Sequence, residues 1–221
     1  MKTLTDEQTR HYDEQGYVLV SGLVPEPVAR EAAAAMRRLL DADPDSWAGI
    51  SEMHRSFHDP ALLACYTPAL LAAAAELSGD PLETITPPDD AYAINVFPRP
   101  GTVWEWPHPH IDHAIRQHGH HVFPRAFRVA AMTFLNDVPP HGAGTVLWPG
   151  SHRKLADLAR SDPEHYEMMW ALNQDLDRVG LAEPVETTPR CGDVLLYHYL
   201  CAHAGSRNTS PQPRLALNIK W

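Results

Sequence analysis

After Pro87-Pro88 the chain changes texture, and that change limits the folds open to it more than any other feature. Short apolar runs at 92–97, 128–135, 145–148, 193–197 and 215–221 alternate with turns rich in proline and glycine. Runs this short, bounded by such turns, read as strands, and several in succession suggest an all-β barrel or sandwich. One helical insertion, at about 154–179, interrupts them.

The first part of the chain reads differently. Thr5-Asp6-Glu7-Gln8 has the form of a capping box, opening a short polar helix that stops near Gly16. Tyr17-Val18-Leu19-Val20 is a short apolar strand. Residues 25–40 form an alanine-rich helix with Pro25 near its first turn. A second helical stretch covers 60–77, with Pro68 dividing it and Gly79-Asp80-Pro81 closing it. A length of 221 residues suits one domain. The expected layout is a mostly helical layer at 1–90 on a β core at 91–221.

Composition excludes several functions. Lys+Arg 18 against Asp+Glu 28 leaves a net charge of −10, which disfavours nucleic acid as a partner. No apolar run reaches the ~20 residues that span a bilayer, so no membrane association is expected. The opening Met1-Lys2-Thr3-Leu4-Thr5-Asp6-Glu7 is polar, unlike a secretory leader. Cys65, Cys191 and Cys201 are odd in number and widely spaced, which suits free thiols in the cytoplasm. No obligate protein partner is inferred.

Histidine is the outlier, at 14 residues, many of them between His108 and His152. In Trp106-Pro107-His108-Pro109-His110-Ile111-Asp112-His113, residues two apart would share a face of an extended strand. His108, His110 and Asp112 then face one way. A His-x-Asp pair joined by a distant histidine makes a 2-His-1-carboxylate triad, the donor set of non-haem Fe(II) oxygenases. The same letters also spell the His-x-His-x-Asp-His signature of metallo-β-lactamase-like zinc hydrolases. Against that reading, the lead-in Trp104-Glu105-Trp106-Pro107 is no apolar strand, and Ala114-Ile115-Arg116-Gln117 is no glycine turn. A third reading is a catalytically inactive metal-binding jelly roll. Asn95, and Thr133 or Met132, lie on strands that could bring them to a ligand bound at such a site.

The C-terminal part bears on the choice. A strand, Gly192-Asp193-Val194-Leu195-Leu196-Tyr197, precedes His198 and then Cys201-Ala202-His203-Ala204-Gly205-Ser206-Arg207-Asn208. A final strand opens at Pro213-Arg214. Together with Leu4-Thr5-Asp6-Glu7-Gln8, Gly16-Tyr17-Val18-Leu19-Val20, Leu135-Asn136-Asp137-Val138, Gly142-Ala143-Gly144-Thr145 and Pro149-Gly150-Ser151-His152-Arg153, this order of motifs resembles the phytanoyl-CoA dioxygenase family of Fe(II)- and 2-oxoglutarate-dependent oxygenases.

The resemblance implies a mainly β fold with N-terminal helices, built on a double-stranded β-helix (jelly-roll, cupin-like) core. It implies His110, Asp112 and His203 as iron ligands and catalytic centre, with Arg214 as partner of the distal carboxylate of 2-oxoglutarate. A planar guanidinium can grip that carboxylate with two parallel bonds. By alternation Arg214 shares a face with Ala216 and Asn218, opposite Leu215, Leu217 and Ile219. The implied cofactors are Fe(II), 2-oxoglutarate and O2, with ascorbate as a stimulant. The implied reaction is hydroxylation of a small-molecule substrate, with release of succinate and CO2. Its family name carries no acyl-CoA assignment. His108 is expected to be a neighbour of the ligands or a loop residue, and His198 a packed strand residue. Tyr166, Met168, Met169 and Trp170 in the insertion are expected either to form a lid or to pack on the barrel.

Overall fold

The computed structural model describes residues 2–41 and 50–221. Helix α1 (Asp6–Gln15) begins at the expected capping box. Gln8 N–H donates to Thr5 Oγ1 at 3.1 Å, and Thr5 N–H donates to Gln8 Oε1 at 2.8 Å. Gly16, at φ 84, ends the helix in the left-handed conformation and turns the chain into β1 (Tyr17–Val20). Helix α2 (Glu26–Asp41) buries Ala29, Ala32, Ala33, Met36 and Leu40, the three-and-four spacing of one helical face. The next stretch divides at Pro68, as expected. Helix α3 (Pro60–Leu63) is capped by Asp59 and α4 (Pro68–Ser78) by Thr67, each with its proline in the first turn.

Two antiparallel sheets follow. β2 (Glu52–Phe57), β3 (Ala91–Val96), β4 (Ala130–Phe134), β7 (Val194–Tyr197) and β9 (Ala216–Lys220) join β1 in a six-stranded sheet of order β1-β7-β4-β9-β3-β2. β5 (Thr145–Leu147), β6 (Val185–Glu186) and β8 (His203–Gly205) form a three-stranded sheet of order β6-β5-β8. This is the jelly-roll core. The segment before residue 90 is more than a helical layer, because β1 and β2 are the two edges of the large sheet. β2 escapes a pattern search because only Met53 and Phe57 are buried, while Glu52, His54, Arg55 and Ser56 face solvent.

Alternation along the strands sorts two cores. Ala131, Leu135, Val194, Leu196, Leu215 and Leu217 pack outward with the helices. Ala130, Met132, Phe134, Leu195, Tyr197 and Ala216 point between the sheets, where Leu147, Leu155, Met169 and Leu172 meet them. Burying a side chain of this size stabilises by about 1.5–3 kcal/mol. The expected insertion resolves into α5 (Ser151–Ser161), α6 (Met169–Gln174) and a 3-10 turn at Leu176–Val179. Tyr166 and Met169 are buried in the inner core, so the packing role fits them and the lid role does not.

Close backbone approach makes one glycine indispensable. A Cβ on Gly144 would lie 1.9 Å from the carbonyl oxygen of Thr187, at the start of the small sheet. Neither backbone can yield without parting β5 from β6. We expect Gly144→Ala to cost about 3 kcal/mol, read in thermal melts as a Tm loss of about 6–12 °C.

Candidate active site

The site is assembled by one backbone pairing. His110 N–H donates to His203 O and His203 N–H donates to His110 O, both at 2.9 Å. This bridge ties the irregular segment before Ile111 to the first residue of β8. It sets the two imidazoles 4.5 Å apart, centre to centre. The chain continues through Ile111, whose side chain is buried in the inner core, and presents Asp112 to the same space. His203 Nε2 lies 3.5 Å from Asp112 Oδ2. One donor atom from each of His110, Asp112 and His203 falls within 4.8 Å of the others, and among the described residues no other group of three such donors is so gathered. Two nitrogens and one carboxylate oxygen are the donor set that suits Fe(II) with positions left open for further ligands. The residues fit such an ion.

Their surroundings prepare them for it. His203 Nδ1 is 2.9 Å from the carbonyl oxygen of Cys201, so Nδ1 carries the proton and Nε2 offers its lone pair. Tyr197 O–H donates to Asp112 Oδ2 at 3.0 Å, and Lys220 Nζ lies 3.3 Å from Asp112 Oδ1. Burial works to raise the Asp112 pKa. His203, Lys220, His110 and the Tyr197 hydroxyl outweigh it, holding the carboxyl below its ordinary range. Desolvation, and then the neighbouring His203, pushes His110 down to about 4, although the residue is exposed where it lines the cavity. Both shifts favour the forms that bind a metal. Burial, reinforced by Asp112, keeps the Tyr197 hydroxyl protonated and therefore a donor.

A cavity of about 510 Å³ opens over the triad. Ile94, Met132, Ile115 and Pro107 give it an apolar wall, while Arg214, Lys220 and Asn218 enter from β9 and the residues just before it. Arg214 is 3% exposed, and among the described residues its side chain makes no hydrogen bond or ion pair. Burial pushes its guanidinium down to about 10, against a smaller opposing pull from Glu52, so it stays charged at neutral pH. A buried, unpaired cation in a cavity is costly unless an anion completes it. The donor geometry of Arg214 suits a carboxylate.

Other expectations divide. The inward face of the last strand carries Arg214, Ala216 and Asn218, with Leu215, Leu217 and Ile219 opposite, as alternation predicts. Asn95 and Thr133 do not reach the cavity. Asn95 donates to Met36 Sδ at 3.3 Å and accepts from Ala216 N–H at 3.3 Å, facing the helices. Its neighbours Tyr92 and Ile94 line the cavity instead. Thr133 is one residue out of phase, and Met132 takes the inward place. His108 is exposed on the rim, outside the donor group. His113 turns away at φ 60 to pack on His120 and Phe127. The zinc-hydrolase signature therefore does not converge. His198 packs between Tyr12 and His152, away from the cavity. Tyr197 and Lys220 were missed, though Lys220 continues the inward period of Arg214 and Asn218.

The sequence profile of the family described as Phytanoyl-CoA dioxygenase (PhyH) matches residues 12–216. No curated protein sequence matches the chain. Among solved structures, SnoK, a non-heme alpha ketoglutarate dependent carbocyclase from nogalamycin biosynthesis, is similar at TM-score 0.69 and 22% identity. The match covers 100% of this chain and 85% of that one. The epimerase SnoN, in complex with Fe3+, alpha ketoglutarate and nogalamycin RO, gives 0.70 and 21%, over 97% and 82% of the two chains. EctD from S. alaskensis with bound Fe gives 0.63 and 19%, over 99% and 76%. At such identities these likenesses establish a shared fold. With the profile spanning nearly the whole chain, the protein belongs to the phytanoyl-CoA dioxygenase family of Fe(II)- and 2-oxoglutarate-dependent oxygenases.

Proposed function

We propose that this oxygenase hydroxylates a small molecule, with His110, Asp112 and His203 holding Fe(II) and Arg214 holding the distal carboxylate of 2-oxoglutarate. The observation that carries the reading is a juxtaposition. A gathered N,N,O donor set shares one cavity with a buried guanidinium that has no hydrogen-bond or ion-pair partner among the described residues.

Bound Fe(II), with 2-oxoglutarate and O2, supplies the oxidising power, and the protein supplies binding, orientation and exclusion. Cys201 O fixes the tautomer of His203. Tyr197 and Lys220 occupy both oxygens of Asp112 from the protein side and stop the carboxylate from rotating freely. Arg214 draws a dicarboxylate inward and sets its depth, while Ile94 and Met132 keep water from the walls. His54, His108 and Tyr92, on the rim, are the groups that a polar part of the substrate would meet. SnoK is a carbocyclase and SnoN an epimerase, so product analysis distinguishes the outcomes. Hydroxylation adds one oxygen atom to the substrate, and epimerisation adds none. A carboxylate at position 112, rather than a small residue that would leave room for a halide, favours hydroxylation over halogenation.

We expect His110→Ala and His203→Ala each to abolish turnover and sharply weaken Fe(II) binding, because a three-donor site has no spare ligand. His108→Ala should keep the metal and part of the activity. Anaerobic titration with Fe(II) and 2-oxoglutarate, followed by the visible charge-transfer band of the chelate, reads both. A His108→Ala protein that loses iron while His203→Ala keeps it would overturn the assignment.

Breaking a buried charge pair costs about 3–5 kcal/mol, and each 1.4 kcal/mol is about tenfold in affinity. Arg214→Leu should therefore weaken 2-oxoglutarate by roughly two to three orders of magnitude while Fe(II) stays bound. Arg214→Lys should be intermediate, keeping the charge but losing the planar grip. Succinate release as a function of 2-oxoglutarate concentration measures both. An unchanged KM in a folded, iron-loaded Arg214→Leu protein would refute the role.

A further inference from the structure

The three residues 110–112 carry two of the metal donors, yet they lie outside the named strands. Something other than a ladder must hold them. His110 is fixed by its backbone bridge to His203, and the Asp112 carboxylate by Tyr197 and Lys220. Between them, Ile111 N–H donates to Asn173 Oδ1 at 2.8 Å. Only the oxygen of an amide can accept, so this contact also sets which way the Asn173 side chain faces.

Asn173 sits on α6, which is itself anchored at several points. Met169 and Leu172 are fully buried in the inner core. Met169 N–H donates to His120 O at 2.8 Å, and Val122 N–H donates to Glu167 O at 2.9 Å. A bridge also joins His121 to Met168. Residues 111–122 are thus fastened at both ends to the single segment 167–173. Between the fastenings the chain reverses at His113, whose φ of 60 is a strained value for a residue with a side chain. Strain of that kind persists only where the surroundings over-determine the backbone. The guanidinium of Arg116 lies 4.6 Å over the Trp170 ring, a further tie between the same two segments.

We infer that Asn173 is a positioning residue for the metal site. Its side-chain oxygen holds the His110–Ile111 peptide, so that His110 and Asp112 both face His203. The insertion carrying it is a brace for the ligand segment rather than a lid. This inference rests on the triad assignment made above, and acts through His110 and Asp112. Outer partners that orient metal ligands typically contribute about 10–100-fold in affinity.

The test is titration of the full-length protein with Co(II) alone, following its visible absorption, which reports both affinity and coordination geometry. Asn173→Leu matches the shape but loses the acceptor oxygen. It should weaken Co(II) by about 10–100-fold and alter the spectrum. Asn173→Asp keeps an oxygen in place and should retain the wild-type spectrum and affinity. Asn173→Ala, free of any clash, should follow Asn173→Leu and serves if that variant fails to fold. Wild-type affinity and spectrum in a folded Asn173→Leu or Asn173→Ala protein would overturn the inference, whatever their melting temperatures. So would an Asn173→Asp protein that loses as much as Asn173→Ala. A wild-type protein that binds no Co(II) would instead remove the triad reading beneath it.

Discussion

The reciprocal backbone pair between His110 and His203 is the contact on which the rest of the site depends. It joins segments far apart in the chain through two amide-carbonyl bonds, without using either imidazole. Both rings remain free to point into the cavity. A side-chain contact would have spent a donor, whereas a backbone bond leaves the chemistry untouched. β8 in turn is held by β5, where Leu147 pairs with His203. The small sheet therefore sets the position of the distal histidine, and Gly144 lets that sheet close.

The cavity holds more charge than a sealed core would tolerate. Asp112, Arg214 and Lys220 enter it within a few residues of buried leucines and alanines. Asp112 is compensated from the protein side by Tyr197 and Lys220. Arg214 is not. The asymmetry is informative, because burying an unpaired charge is tolerated only where a ligand completes it. Lys220 also accepts a second role as partner of Asn218, which donates in turn to the carbonyl of Ala131 and the Tyr197 oxygen. One polar chain thus runs from the large sheet to the Asp112 carboxylate through the inward-facing side chains of Tyr197 on β7 and Asn218 and Lys220 on β9.

Much of this was legible in the sequence because it rests on periodicity. The inward set of the last strand follows from alternation alone. Capping residues and prolines located α1, α4 and the start of α3 to within a residue or two, while α3 stops at Leu63, well short of the dividing proline. The same rule failed for Asn95 and Thr133, since a slip of one residue reverses the face and the sequence pattern does not pin it. It failed for β2 as well, an edge strand with little to bury. The motif order, rather than any single motif, pointed to the family and to His110, Asp112, His203 and Arg214.

What the sequence determined by itself, then, was most of the elements and the candidates His110, Asp112, His203 and Arg214, because local periodicity, capping and motif order are properties of neighbours in the chain. Tertiary structure alone decided how those residues meet. The irregular path of 103–113, the bridge to β8 and the hold of Asn173 on Ile111 join positions distant in sequence. So does the absence of a protein partner for Arg214 among the described residues. No local pattern encodes them, since each is a hydrogen bond, or a missing one, that exists only after both cores have packed.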